Sequence, residues 1–316
     1  MRNKYQSLAI FGFAAAMLVV YSCTKNQVSP SSDNASGAQS PQHTYGVLTA
    51  TPDMYANVPK FDMATFAAEH AINATGSHPV TVTLATPAVR DQGQIGSCTA
   101  FCGSEAYEIG YNYKHGSWPT VVSPAFLYYE ERVNILHESI TADNGAYMVN
   151  IGQALQKYGI CTEALYAYPS SDVSTAYKTP PSSAAVSNAT GFKVSGATLV
   201  ATGDTGAVKT LLRANIPVMM GLNVYDNTRT YQYFEGLNNT SNTYNPLTSS
   251  GALQKNVKLL GGHATPIVGY DDTKKAFLVQ NSWGTSWGKA GFYYMPYTVF
   301  MSTKIVPAGG VYYLTL

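Results

Sequence analysis

The sequence predicts an α+β fold, and three observations carry the expectation. Helix-like patterning with Gly and Pro punctuation runs over residues 98–170, and strand-like alternation dominates residues 190–316. Segregation of helices and strands along one chain points to an α+β arrangement in two lobes. Apolar residues make up 45% of the 316, enough to fill a sizeable core, and 24 tyrosines argue against wholesale disorder. Charge is scarce: 12% of residues are charged and the net charge is +1, against ~25% charged in an average soluble protein. Such a chain has no electrostatic footprint for nucleic acid.

The N-terminus reads as an export signal. Arg2 and Lys4 precede an apolar run over residues 8–20 that is short for a bilayer span. The run ends in Val20-Tyr21-Ser22-Cys23, which resembles the lipobox of bacterial lipoproteins. That resemblance implies a signal peptide over residues 1–22 and lipid on Cys23. It implies an exported lipoprotein, membrane-anchored at the periplasmic face or the cell surface. Residues 23–50 are rich in Ser, Asn, Gln and Pro and read as a flexible tether. Residues 51–76 form an N-terminal extension, with one short helix around Phe61, Thr65, Phe66 and Ala68. The main domain spans 77–316. Its strand-like alternation starts at Val80, a helix over 205–215 interrupts the later strands, and residues 236–257 read as a long polar loop.

Residues 90–103 carry the first chemical signal. Gln92-Gly93-Gln94-Ile95-Gly96-Ser97-Cys98 leads from a glycine-rich turn into a helical run, with Ser97 as a good N-cap. Cys98 then falls in the first helical turn, where the macrodipole and unpaired amides favour a thiolate. Cys102, Ala106, Ile109 and Tyr113 recur at helical spacing and face a core. Cys98 therefore reads as reactive and Cys102 as packing, although an isolated cysteine is more often a small buried hydrophobe. A reactive thiol needs a base. Of the six histidines, His43 lies in the tether and His115 and His137 in polar surroundings. His263 opens a strand-like run, and Asp271-Asp272-Thr273 separates it from a second run that ends at Gln280-Asn281. A hairpin centred on Asp272 puts His263 directly opposite Asn281, where Cβ atoms lie ~5 Å apart.

These segments together resemble the papain-like cysteine peptidases. The resemblance rests on Gln92 through Phe101, on Ser123-Pro124-Ala125-Phe126-Leu127-Tyr128, on Asp143-Asn144-Gly145-Ala146, and on Gly262-His263-Ala264 followed by Asn281-Ser282-Trp283-Gly284. It implies a two-lobed fold, a helical lobe plus a β-barrel-like lobe, with the active-site cleft between them. It implies a nucleophile at Cys98, a base at His263, an orienting amide at Asn281 and an oxyanion donor at Gln92. Gly145 and Ala146 would offer backbone bonds to an extended substrate, and Trp283 would shield the His263–Asn281 contact. Ile95, Thr99, Ala146 and Gly262 depart from the family pattern, and the interval from Cys98 to His263 is long.

The resulting expectation is a monomeric cysteine endopeptidase acting on peptide or protein substrates and held to a membrane through Cys23. Two other functions fit the same residues: a catalytically weak peptide-binding module, and a thiol-dependent amidase or transferase acting on cell-wall peptides. No cofactor or metal is expected, because the histidines lack ligand spacing and no Cys-x-x-Cys occurs. Four cysteines are too few for a disulfide scaffold, and pairing of Cys102 with Cys161 is left open. The sequence shows no convincing inhibitory propeptide.

Overall fold

The computed structural model describes residues 43–70, 78–169 and 178–316. The export signal, Cys23 and most of the tether lie outside the described residues. No helix among the described residues is long and apolar enough to cross a membrane.

The chain begins with residues 43–50, read from composition as the end of the tether, packed into the fold. A short 3₁₀ turn at Pro52–Tyr55 follows. Helix α1 (Met63–Glu69) is capped by Asp62, whose carboxylate accepts from the Thr65 amide at 2.8 Å. Strand β1 (Thr81–Thr83) leads into α2 (Cys98–His115). Ser123 caps α3 (Pro124–Tyr129), with Pro124 in the first turn. A π-helical turn at Glu130–Ile135 continues it, and α4 (Met148–Lys157) and α5 (Ser183–Ala189) complete the helical half. Then come β2 (Gly196–Leu199), α6 (Thr205–Arg213), β3 (Val218–Asn227), β4 (Val257–Asp271), β5 (Ala276–Gln280), β6 (Phe292–Pro296), α7 (Tyr297–Phe300) and β7 (Val311–Thr315). The α+β segregation expected from patterning is present.

Helix α2 is buried along residues 98–109 and surrounded by other elements. At Gly103 an added Cβ would stand 2.5 Å from the Ile151 side chain of α4, so glycine sets the close approach of these helices. Lys114 and His115 lie in the last turn, where cations complement the macrodipole, and Gly116 ends the helix at φ +69°. The predicted core stripe holds through Ile109. Tyr113 is exposed, and its hydroxyl accepts from the Ala85 amide at 2.9 Å.

All seven strands form one antiparallel sheet, in the order β2-β7-β3-β4-β5-β6, with β1 also paired to β4. The sheet is open: β2 and β6 end it and are not paired with each other. This corrects the barrel-like lobe expected for the β half. Strand β4 organises the sheet. Along one edge it pairs with β3 and then β1, and along the other with β5.

The β4–β5 register also differs from the expected one. Asp271 pairs with Ala276 and Tyr270 with Phe277, because the turn spans residues 272–275 and Lys275 adopts φ +52°. A bulge then moves the pairing by one, so that Ile267 faces Val279. Continued at that offset, His263 stands diagonal to Asn281 rather than opposite it. The net displacement is even, so both side chains keep the same face.

Candidate active site

Gln92, Cys98, Gly145, Ala146, His263, Asn281 and Trp283 converge on one cleft. Cys98 is the first residue of α2 and is fully buried. Its thiol accepts from the backbone amides of Gly46, Ala264 and Thr99, which puts it beside the residue that follows His263. The loop before it is held firmly. The Tyr168 hydroxyl donates to the Gln92 carbonyl at 2.7 Å and lies 2.7 Å from the Ser97 hydroxyl. Ser97 thus spends its side chain on Tyr168 and makes no side-chain cap, unlike the sequence expectation.

The loop before Cys98 is stitched to the sheet half next to the site. The Gln92 amide donates to the Ser282 carbonyl at 2.8 Å and the Gly284 amide to the Arg90 carbonyl at 3.1 Å. The Gln92 side chain is orientated by the same contact: the Ser282 hydroxyl donates to its Oε1 at 2.7 Å. Its Nε2 is thereby turned toward Ile95 O, at 2.9 Å, and toward a main-chain carbonyl in the cleft, Thr44 O, at 3.3 Å.

His263 is fully buried on β4. Its Nε2 lies 2.7 Å from Asn281 Oδ1, and that oxygen also accepts from the Ser282 amide at 2.9 Å. Because Oδ1 can only accept, Nε2 carries the proton and Nδ1 is left as an acceptor. Nδ1 is buried and has no hydrogen-bond partner among the described residues. The Trp283 indole covers the imidazole, with ring centroids 4.9 Å apart.

The opposite wall is backbone. Residues 43–48 run through the cleft between the two halves. Ala146 donates to Gly46 O and accepts from Leu48 N, both at 2.9 Å, in a parallel bridge centred on Val47. Val47 N donates to Gly262 O at 2.9 Å. A Cβ on Gly262 would stand 2.3 Å from Val47 O, one on Gly145 1.8 Å from Gly46 O, and one on Gly261 2.5 Å from Tyr45 Cβ. These glycines make room for the segment.

With the segment in place, burial favours the neutral forms of Cys98 and His263. Burial pushes the Cys98 thiol up to about 12, against the lowering by three amides, and pushes His263 down to about 4. The lowered thiol expected from the helix N-terminus is therefore not the property of this closed state; desolvation outweighs the dipole. Thr99 donates its hydroxyl to Glu131 Oε2 at 2.6 Å, and burial pushes Glu131 up to about 8. Cys102 and Cys161 are free and buried and do not form a disulfide.

Sequence reasoning missed four participants. His43 stacks on Trp283, with centroids 3.8 Å apart and planes at 3°. His43 Nδ1 lies 2.8 Å from Glu235 Oε2, and the Tyr45 hydroxyl donates to Glu235 Oε1 at 2.6 Å. Glu235 and Phe234 come from the connection between β3 and β4. Residues 236–257 of it were expected to be a polar loop, yet Leu237, Tyr244 and Leu247 are buried there, as are Tyr231 and Phe234 just before. Asp226 shapes it, accepting from the Tyr233, Phe234 and Glu235 amides at 3.0, 2.7 and 2.8 Å. The Phe234 ring meets both His263 and Trp283 edge-on. The aromatic spacing over 231–237 and the apolar Tyr45-Gly46-Val47-Leu48 in a polar tract were the available signals.

The family profile described as papain family cysteine protease matches residues 80–306. The chain belongs to the papain family of cysteine proteases. It is similar to an uncharacterized peptidase C1-like protein of Acanthamoeba polyphaga mimivirus, 30% identical over 66% of this chain and 63% of that one. Digestive cysteine proteinase 1 of Homarus americanus is 28% identical over 65% of this chain and 56% of its own length. The chain thus spans less than two thirds of these relatives. Among solved structures, xylellain, a cysteine protease from Xylella fastidiosa, superposes with a TM-score of 0.69 at 26% identity, covering 88% of this chain and 97% of that one. The matched region contains every cleft wall described above except residues 43–48, which lie before it.

Proposed function

We propose that this chain is a cysteine endopeptidase with Cys98 as nucleophile, His263 as base, Asn281 as its orienting amide and Gln92 as an oxyanion donor. The observation that carries the reading is the free, buried Nδ1 of an imidazole whose other nitrogen is fixed on Asn281, in the cleft that holds Cys98. Nδ1 takes the thiol proton as Sγ attacks a peptide carbonyl. Negative charge grows on the carbonyl oxygen, where Gln92 Nε2 and the Cys98 amide receive it. The imidazolium then protonates the leaving amine, and water attacks the thioester to release the acid.

Residues 43–48 stand in the way of a substrate, which supports reading this arrangement as a latent form. On this reading the segment first leaves the cleft. Water then reaches Sγ and the imidazole, the desolvation of both is relieved, and a thiolate–imidazolium pair becomes the favoured state. The lipobox-like Val20-Tyr21-Ser22-Cys23 supports a monomer anchored to a bacterial envelope, with peptide or protein substrates reaching it there.

The test is alkylation of the full chain by an irreversible epoxide, followed by intact mass and peptide mapping. One adduct on Cys98, absent in Cys98→Ala and much slower in His263→Ala, with peptide turnover lost in both variants, is the expected result. Turnover that survives Cys98→Ala would overturn the assignment.

A further inference from the structure

The side of the cleft that lies away from Ala146 has a composition of its own. Its floor is the Trp283 indole and its wall is the Glu235 carboxylate, whose side chain is fully buried. A buried carboxylate is costly unless a cation or several donors meet it. The partners recorded for Glu235 are two side chains from the cleft segment, the Tyr45 hydroxyl and the His43 imidazole. No Lys or Arg pairs with Glu235 among the described residues. Asp226, fully buried close by, satisfies its oxygens with backbone amides and adds negative charge. His43 shows what the place accepts: a flat ring lying on the indole, with an in-plane N–H aimed at the carboxylate.

We propose that Trp283 and Glu235 form a substrate subsite for a planar cationic side chain, arginine above all. The proposal rests on the peptidase reading. The Thr44 carbonyl stands at the Gln92 donor, 3.3 Å from Nε2. His43 is the next residue along, so the subsite adjoins the reacting carbonyl on the side away from Ala146. A guanidinium stacks on the indole through its face and donates to Glu235 through its edge. Lysine satisfies the carboxylate but not the floor, and citrulline satisfies the floor but brings no charge. The carboxylate comes from the connection between β3 and β4, so that connection is a specificity element.

The experiment uses the full chain and internally quenched peptides that differ only in arginine or citrulline at each residue flanking the cleaved bond. Mass spectrometry maps the bond. Because the result is a ratio of kcat/KM values on one enzyme, the fraction of chains with an open cleft cancels. Expected is a preference for arginine over citrulline of about tenfold or more at one position beside the bond. The ratio should fall to near one in Glu235→Gln and survive in Glu235→Asp. A ratio near one in the unaltered chain overturns the subsite and leaves the peptidase reading standing; Glu235 would then serve only to hold residues 43–45. A ratio kept in Glu235→Gln also overturns it. Absence of both cleavage and Cys98 alkylation overturns the peptidase reading, and the subsite with it.

Discussion

The cleft has two sides, and they hold the same short segment by different means. Toward Ala146 and Gly262 the contacts are main chain to main chain, at 2.9 Å each, and glycines clear the path. Toward Trp283 and Glu235 the contacts are side chains, with a stacked ring, an imidazole nitrogen on a carboxylate and a phenol on the same carboxylate. A backbone clamp grips any extended chain. A side-chain clamp grips only certain residues. The first gives generality of binding and the second gives discrimination, and Cys98 lies where the two meet.

Breaking the centre should have the largest effect. Gln92→Ala removes a donor common to both sides and should lower kcat by about 10²- to 10³-fold, with a smaller change in KM, in steady-state peptide assays. The backbone side comes next. Gly262→Ala puts a methyl group onto the Val47 carbonyl. It should displace the segment and speed Cys98 alkylation by roughly ten- to a hundredfold, the equivalent of a few neutral hydrogen bonds. The side-chain contacts are smaller singly. Tyr45→Phe deletes one bond to Glu235 and should speed alkylation by about tenfold.

Acid gives a fourth test. His263 is pushed below its ordinary 6.5 to about 4 while the cleft is closed. Its contribution to the closed state is therefore full above pH 6.5 and is lost as pH falls from 6.5 toward 4. Acidification across that window should open the cleft. Hydroxyl-radical footprinting of Trp283 in a His43→Gln chain, which lacks the imidazole contact to Glu235, reads this out. An unchanged Trp283 label at pH 4.5 would contradict it. The smallest effect lies behind the nucleophile. Thr99→Val leaves Glu131 without its hydroxyl donor and should cost about 1–3 kcal/mol in urea unfolding.

The sequence made part of this visible and concealed the rest for physical reasons. The start of α2 at Cys98 was legible from the glycine-rich turn before it, although Ser97 makes no side-chain cap, and the start of α6 at Thr205 was legible from patterning. The proximity of His263 and Asn281 was legible too, although the register argument behind it failed. Lys275 in a left-handed conformation lengthens the turn and a bulge takes one residue back, neither of which periodicity reveals. The even sum preserved the face, and the long reach of the two side chains did the rest. His43 and Tyr45 were hidden in a polar tract, where composition speaks for the tract and says nothing about four residues that find a groove. Glu235 was hidden by distance along the chain from His43 and Tyr45, the two side chains that meet its carboxylate. Closure of the sheet was inferred from the family resemblance; it would need β2 to pair with β6, and they do not pair.

The segment in the cleft belongs to the chain it blocks. Dilution cannot remove it, and an added peptide competes with an occupant whose effective concentration is set by connectivity. Every affinity measured on the intact chain is scaled by the fraction of molecules whose cleft is empty. A chain open about one hundredth of the time binds a substrate about a hundredfold more weakly than its bare cleft does. Two preparations that differ only in that fraction would report different KM values for the same active site.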